Sequence, residues 1–83
     1  MLRETMKVRI KNGLDVRTLA ELVQVASYYS CNIYLEKDGK RINAKSIMGM
    51  MGLGLFEGDE IVVAADGERE EDAVESIRQF LKD

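Results

Sequence analysis

Three side chains carry most of the chemistry this chain of 83 residues could perform: Asp15, Arg17 and Ser46. There is no histidine, so the commonest general base and the commonest metal ligand are both missing. With Cys31 as the lone cysteine, the standard zinc spacings are excluded too. Asp15 stands just ahead of an apolar-periodic run, at the place of a helix N-cap, where its carboxylate can accept the backbone N–H of Arg17 or Thr18. The same carboxylate could accept a phosphoryl group as an acyl phosphate. That chemistry usually draws on Mg2+ held by further carboxylates, and only Glu21 lies near, about a turn and a half along the helix. The cap is the favoured reading. Arg17 has two readings that both stand, a solvated first-turn side chain or a guanidinium that grips a phosphate or carboxylate through two hydrogen bonds.

Ser46 is also at an N-cap position, ahead of Ile47, Met48, Met50, Met51 and Leu53. A phosphoryl group there would meet free N–H groups and the positive end of the helix dipole. It would add nearly two negative charges beside Ile47 and Met48. So short a helix cannot bury all of these apolar groups on one side. Some of the surface therefore faces water, and a flexible methionine surface suits a partner. Gly49, Gly52 and Gly54 weaken the helix, each by about 1 kcal/mol relative to Ala in a helix interior.

The elements that must position these groups follow from periodicity. Residues Thr5 to Ile10 alternate and predict a half-buried strand, ended by a turn at Asn12-Gly13. Val16, Leu19, Ala20, Val23 and Ala26, widened by Leu22, form the apolar stripe of a helix that opens at Asp15 and fades near Tyr28 or Tyr29. Ile33 and Leu35 alternate with Tyr34 and Glu36. Asp38-Gly39 is a two-residue hairpin turn that sets Lys37 opposite Lys40, Glu36 opposite Arg41, Leu35 opposite Ile42 and Tyr34 opposite Asn43. A short helix is expected from Ile47 to Leu53 and a turn at Glu57-Gly58-Asp59. An interior strand follows from Ile61 to Ala65, then a helix from Glu70 to Leu81 whose stripe is Ala73, Val74, Ile77, Phe80 and Leu81. Tyr28, Tyr29, Tyr34 and Cys31 are expected to serve packing. The order β-α-β-β-α-β-α, with one apolar face per strand, predicts an α+β fold: a four-stranded sheet covered by helices on one face, in which the hairpin makes at least one pair antiparallel.

The totals narrow the function classes. One domain over residues 1–83 is expected from the length. A net charge of -3 gives no basic field for nucleic acid or a membrane surface. The apolar runs are far too short to span a bilayer, and Met1-Leu2-Arg3-Glu4 lacks the apolar core of a secretion signal. A single cysteine suits a cytoplasmic protein. A small RNA-binding module using a sheet face is disfavoured by the acidic balance and by strands without aromatic alternation.

The motifs resemble those of the HPr family, the small phosphocarriers of the bacterial phosphoenolpyruvate sugar phosphotransferase system. Asn43-Ala44-Lys45-Ser46-Ile47-Met48-Gly49 is similar to the family's regulatory-serine motif, with every residue in place, and Glu36-Lys37-Asp38-Gly39-Lys40 to the hairpin of its Gram-positive branch. Asn12-Gly13-Leu14-Asp15-Val16-Arg17-Thr18-Leu19-Ala20 is similar to the active-site motif Gly-Leu-His-Ala-Arg-Pro-Ala, but Asp15 replaces the phosphate-carrying histidine and Thr18 the proline, while Arg17 is retained. The resemblance implies an HPr-like open-faced sandwich, a four-stranded antiparallel sheet with three helices on one face, and a histidine-lacking, Crh-like regulatory member, not an enzyme, without cofactor or metal. Ser46 would be phosphorylated by HPr kinase/phosphorylase. The product would bind a LacI-type catabolite control repressor through Ile47, Met48 and Met51, with Arg17 as an accessory contact. Met50 and Leu53 are left to the core, and a monomer or weak homodimer is expected. The alternative is a phosphocarrier with Asp15 in the histidine's place. A third role for Asp15, a fixed mimic of the phosphorylated state, is poor, because a carboxylate supplies one charge and a phosphoryl-imidazole about two.

Overall fold

The computed structural model describes residues 1–11 and 13–82. The elements run β1 (Leu2–Lys7), α1 (Val16–Ser27), β2 (Asn32–Lys37), β3 (Lys40–Asn43), α2 (Ile47–Leu53), β4 (Glu60–Asp66) and α3 (Glu70–Lys82). The four strands form one antiparallel sheet in the order β1-β4-β2-β3. Its core is built from one face of the sheet and the inner sides of the helices, with Leu22, Ile33, Leu35, Met50, Ile61 and Ile77 fully buried. Burying a side chain of this size is worth about 1.5–3 kcal/mol.

The hairpin has the register its turn dictates. Asp38 and Gly39 both take positive φ, 52° and 80°, and the four expected cross-strand pairs are all present. β4 is an interior strand, as expected, because β1 and β2 both pair with it; β2, between β4 and β3, is the other. On the uncovered face, Arg3 donates two hydrogen bonds of 2.8 Å to the carboxylate of Glu36. Arg41 lies 3.8 Å from the same carboxylate and stacks over Tyr34 at 4.0 Å. Arg3 and Tyr34 stand on either side of Ala64, which is fully buried although it faces the open side.

Three expectations need correction. β1 begins at Leu2 and leaves the ladder after Lys7, earlier than the predicted Thr5 to Ile10. Beyond Lys7 the backbone bonds elsewhere: Val8 N–H donates to Asp59 and Arg9 N–H to Leu81. The early start was hidden by Glu4, an acid on the core-facing side of β1 that pairs with Arg78 of α3. In α1 the buried positions are Leu19, Leu22 and Ala26, while Val16 and Ala20 are exposed. At 100° per residue, Val16 falls about a quarter-turn and Ala20 about a third of a turn off the line through Leu19, Leu22 and Ala26. Tyr28 caps the end of α1 and is 73% exposed, so it is not a packing residue, whereas Tyr29 and Cys31 are buried. Of the turn assigned to Asn12-Gly13, Asn12 lies outside the described residues. Gly13 has φ of 73° and sits so close to the next loop that a Cβ would stand 2.9 Å from the Leu55 carbonyl oxygen.

Candidate functional site

Two helix N-termini carry the candidate residues. Asp15 is the N-cap of α1, and its Oδ1 accepts the backbone N–H of Thr18 at 2.8 Å. Its pKa lies below the ordinary value of 3.8. The Thr18 backbone N–H is the main cause, the Thr18 side chain adds to it, and the nearby Arg17 charge helps. The side chain is therefore a fixed anion at neutral pH. Arg17 is exposed and makes no ion pair among the described residues.

Ser46 is the N-cap of α2. Its Oγ accepts the Gly49 N–H at 3.2 Å, and its backbone N–H donates to the Asn43 carbonyl at 3.0 Å. Asn43 tightens the approach by accepting the Lys45 N–H at 2.8 Å on its Oδ1. Lys45 anchors the segment to the turn after α1, its Nζ donating 2.6 Å to the Tyr29 carbonyl. Gly54 ends the helix at φ of 70°, in the left-handed region that suits glycine.

The seven residues of α2 divide by depth. Met50 and Leu53 are buried, the inward pair expected from the sequence. Met48 is 79% and Met51 49% exposed. Ile47 is half-buried and packs against the core, so it contributes an edge rather than a projecting side chain. The structure adds two neighbours that sequence reasoning missed. Val16, 59% exposed, and Phe56, 63% exposed, line a cleft of about 340 Å3 together with Met51, Leu14, Leu19 and Leu55, and Asp15 lies at its rim. This cleft joins the first turn of α1 to α2. Phe56 projects from a loop fastened by Lys37, which donates to the Gly54 carbonyl and sits 2.7 Å from Asp59 and 5.2 Å from the Phe56 ring. Asp59 in turn accepts the Phe56 N–H at 2.8 Å, and its pKa is lowered, chiefly by the Lys37 hydrogen bond and then by that N–H. The signal in the sequence was a large aromatic beside Glu57-Gly58-Asp59, a turn that must lie at the surface.

Among the described residues no group of three or more His, Cys, Asp or Glu could hold a metal ion. None of their helices is long and apolar enough to cross a membrane. What the surface can do is present an ionised cap, a modifiable hydroxyl and a strip of exposed methionine, valine and phenylalanine.

The fold and site together define a small α+β open-faced sandwich that presents a capping, partly accessible serine beside exposed methionines. The chain belongs to the HPr family: the family model described as "PTS HPr component phosphorylation site" matches residues 2–83. It is 41% identical over 83 residues to the HPr-like protein Crh of Bacillus subtilis strain 168, covering 100% of this chain and 98% of that protein. The fold is similar to that of HPr-C-His from Thermoanaerobacter tengcongensis, with a TM-score of 0.93 at 40% identity over 99% of this chain and 92% of that one. It is also similar to the B. subtilis Crh crystal structure, described as a domain-swapped dimer, with a TM-score of 0.78 at 41% identity over 99% and 94% of the two chains.

Proposed function

We propose that this protein is a cytoplasmic, Crh-like regulator of carbon catabolite control, a single HPr-like domain over residues 1–83 whose switch is phosphorylation of Ser46. The observation that carries the reading is the geometry of α2. A serine hydroxyl caps the helix, and two methionines at 79% and 49% exposure stand within five residues of it. In the transfer, the Ser46 Oγ would form a bond to the γ-phosphorus of ATP, the β–γ bridge would break, ADP would leave and the hydroxyl proton would pass to a base on the kinase. The new phosphoryl oxygens would take the Gly49 N–H that Oγ holds now. The helix would thus survive while its surface charge changed by nearly two units.

In this reading HPr kinase/phosphorylase is the modifying enzyme and a LacI-type catabolite control repressor is the partner. The partner would dock on Ile47, Met48 and Met51, extended by Val16 and Phe56, with Arg17 as an accessory cation for an acidic group or for the phosphoryl oxygens. Incubation with HPr kinase/phosphorylase and ATP should add one phosphoryl mass, lost in Ser46→Ala. A folded sample with no phosphate on Ser46 would sink the switch. A second reading, phosphoryl transfer through Asp15, has in its favour an exposed, ionised carboxylate with Arg17 two residues on. Phosphoenolpyruvate and Enzyme I should then give a hydroxylamine-sensitive label on Asp15, and its absence ends that reading.

A further inference from the structure

Arg69 breaks three local rules at once. It occupies the N-cap position of α3, its carbonyl accepting the first helical N–H from Ala73 at 3.0 Å. Serine, threonine, aspartate and asparagine are the favoured caps there, because their side-chain oxygens accept a helix N–H. A cation is unfavourable at the positive end of a helix dipole. Its φ is 60°, in the left-handed region that a residue with a Cβ seldom adopts. Such departures gather where a side chain is held in place for a purpose other than stability.

The guanidinium is what this backbone places. It lies 5.8 Å from the ring centroid of Tyr28 and 5.2 Å from that of Tyr29, and its Nε donates 3.1 Å to Asp72. The two rings meet edge to face at 5.1 Å. They form part of the wall of an open groove of about 840 Å3 between the C-terminal end of α1 and α3, with Phe80 and Val25 as further apolar lining and Asp72 and Glu75 on its acidic side. From residue 66 to residue 75 the chain carries Asp66, Glu68, Glu70, Glu71, Asp72 and Glu75 against Arg69 alone. An aromatic pair beside carboxylates attracts cations through both the ring quadrupole and charge.

We infer that the groove between α1 and α3 binds a basic segment of a partner protein, one arginine or lysine of which displaces Arg69 from the rings of Tyr28 and Tyr29. Arg69 is the internal occupant of the two rings until such a segment arrives. Charge complementarity selects this occupant: Asp72 is held by Arg69 and Glu75 by Arg78 and Gln79, but Glu68, Glu70 and Glu71 beside them make no ion pair among the described residues, which leaves the surroundings of the two rings acidic. The groove lies at the far end of α1 from the cleft beside Asp15: Asp15 and Tyr28 cap opposite ends of that helix, about 20 Å apart. Lys45, next to Ser46, bonds the backbone carbonyl of Tyr29 and not its ring, so the inference does not require phosphorylation of Ser46.

The probe is a fluorescein-labelled hexapeptide alternating arginine and glycine, titrated by anisotropy, with amide and tyrosine-ring chemical shifts followed in parallel. Shifts should centre on Tyr28, Tyr29 and the first turns of α3. Arg69→Gly suits the left-handed backbone and empties the rings, so its Kd should fall about threefold, the factor expected for one exposed cation–π contact. Arg69→Asn serves if the glycine variant is unstable. Tyr28→Leu, which keeps apolar area and removes most of the π-face, should weaken binding about threefold. Binding unchanged in Tyr28→Leu but weakened in Asp72→Asn would show charge attraction alone and overturn the inference. So would shifts confined to Met48 and Met51, or an Arg69→Gly variant that binds no tighter. Concentration-dependent self-association lost in Tyr28→Leu would put a second copy of the chain in the groove and overturn the basic-peptide assignment.

Discussion

Asp15 and Ser46 hold the same post on two helices and do opposite things with it. Each accepts the N–H three residues on, Thr18 at 2.8 Å and Gly49 at 3.2 Å. Asp15 starts a 12-residue helix, and its charge is fixed at neutral pH. Ser46 starts a helix of only seven residues, two of them glycine, and its hydroxyl is neutral. A helix so short and so rich in glycine does not stand on propensity. It holds because Met50 and Leu53 are buried beneath it. The lesson is that local helix strength and regulatory use separate here. The sturdier N-terminus keeps a constant charge, and the weaker one, fastened by packing, carries the group that can change.

The largest expected effect tests that fastening. Met50→Ala should cost about 2–5 kcal/mol by emptying a fully buried site. Met51→Ala, one residue on and half exposed, should stay within about 0.5 kcal/mol while weakening partner binding. Urea denaturation of both variants measures the contrast. Equal losses would show that α2 is held by something other than its inward pair.

Next in size is the entrance to α1. Gly13→Ala forces a Cβ to 2.9 Å from the Leu55 carbonyl oxygen at φ of 73° and should destabilise by about 1–3 kcal/mol. Because Leu14 N–H donates to that same carbonyl at 3.3 Å, the damage should spread to the cleft beside Phe56. Amide exchange near residues 14 and 55 should quicken before exchange in β4. Uniform quickening would mean that the start of α1 and the loop after α2 are not locally coupled through this contact.

The cap of α2 comes third. Ser46→Ala should cost about 1 kcal/mol, and Ser46→Asp should recover most of it, because a serine hydroxyl and an aspartate carboxylate can each accept the Gly49 N–H. Equilibrium denaturation decides. An aspartate variant no better than alanine would argue that the phosphorylated helix is also destabilised.

Much of this frame was legible in the sequence, and where it was not the reason is physical. The hairpin register, the bounds of α2 and the interior place of β4 depend on short-range signals: Asp38-Gly39, a serine ahead of an apolar run, and an uncharged alternation. What escaped depends on contacts between distant residues. Glu4 disguised the start of β1 because its partner, Arg78, is near the other end of the chain. Val16 and Ala20 fit a helical stripe, yet the sheet and α3 select the neighbouring line through Leu19, Leu22 and Ala26. Phe56 became part of the candidate site only through Lys37, which fastens its loop from the hairpin. Arg69 gave no sign at all, since nothing local says that an arginine before three acids will turn left-handed and cover two tyrosines.

The smallest effect tests the fixed charge of Asp15. Its folded pKa lies below 3.8, held there mainly by the Thr18 N–H. A depressed carboxylate contributes stability that is present above the unfolded value and lost as pH falls through the folded one. Wild type should therefore lose stability below about pH 4, and Asp15→Asn should lose less, because asparagine caps as well but does not titrate. The slope will not vanish, since Asp59, held down by Lys37, titrates in the same window. Ser46→Ala should leave the slope unchanged, because a hydroxyl takes up no proton there. Urea midpoints from pH 7 to pH 2.5 for the three proteins give the comparison. If Asp15→Asn kept the whole wild-type slope, the carboxylate would not be the constant charge that distinguishes this cap from the one on α2.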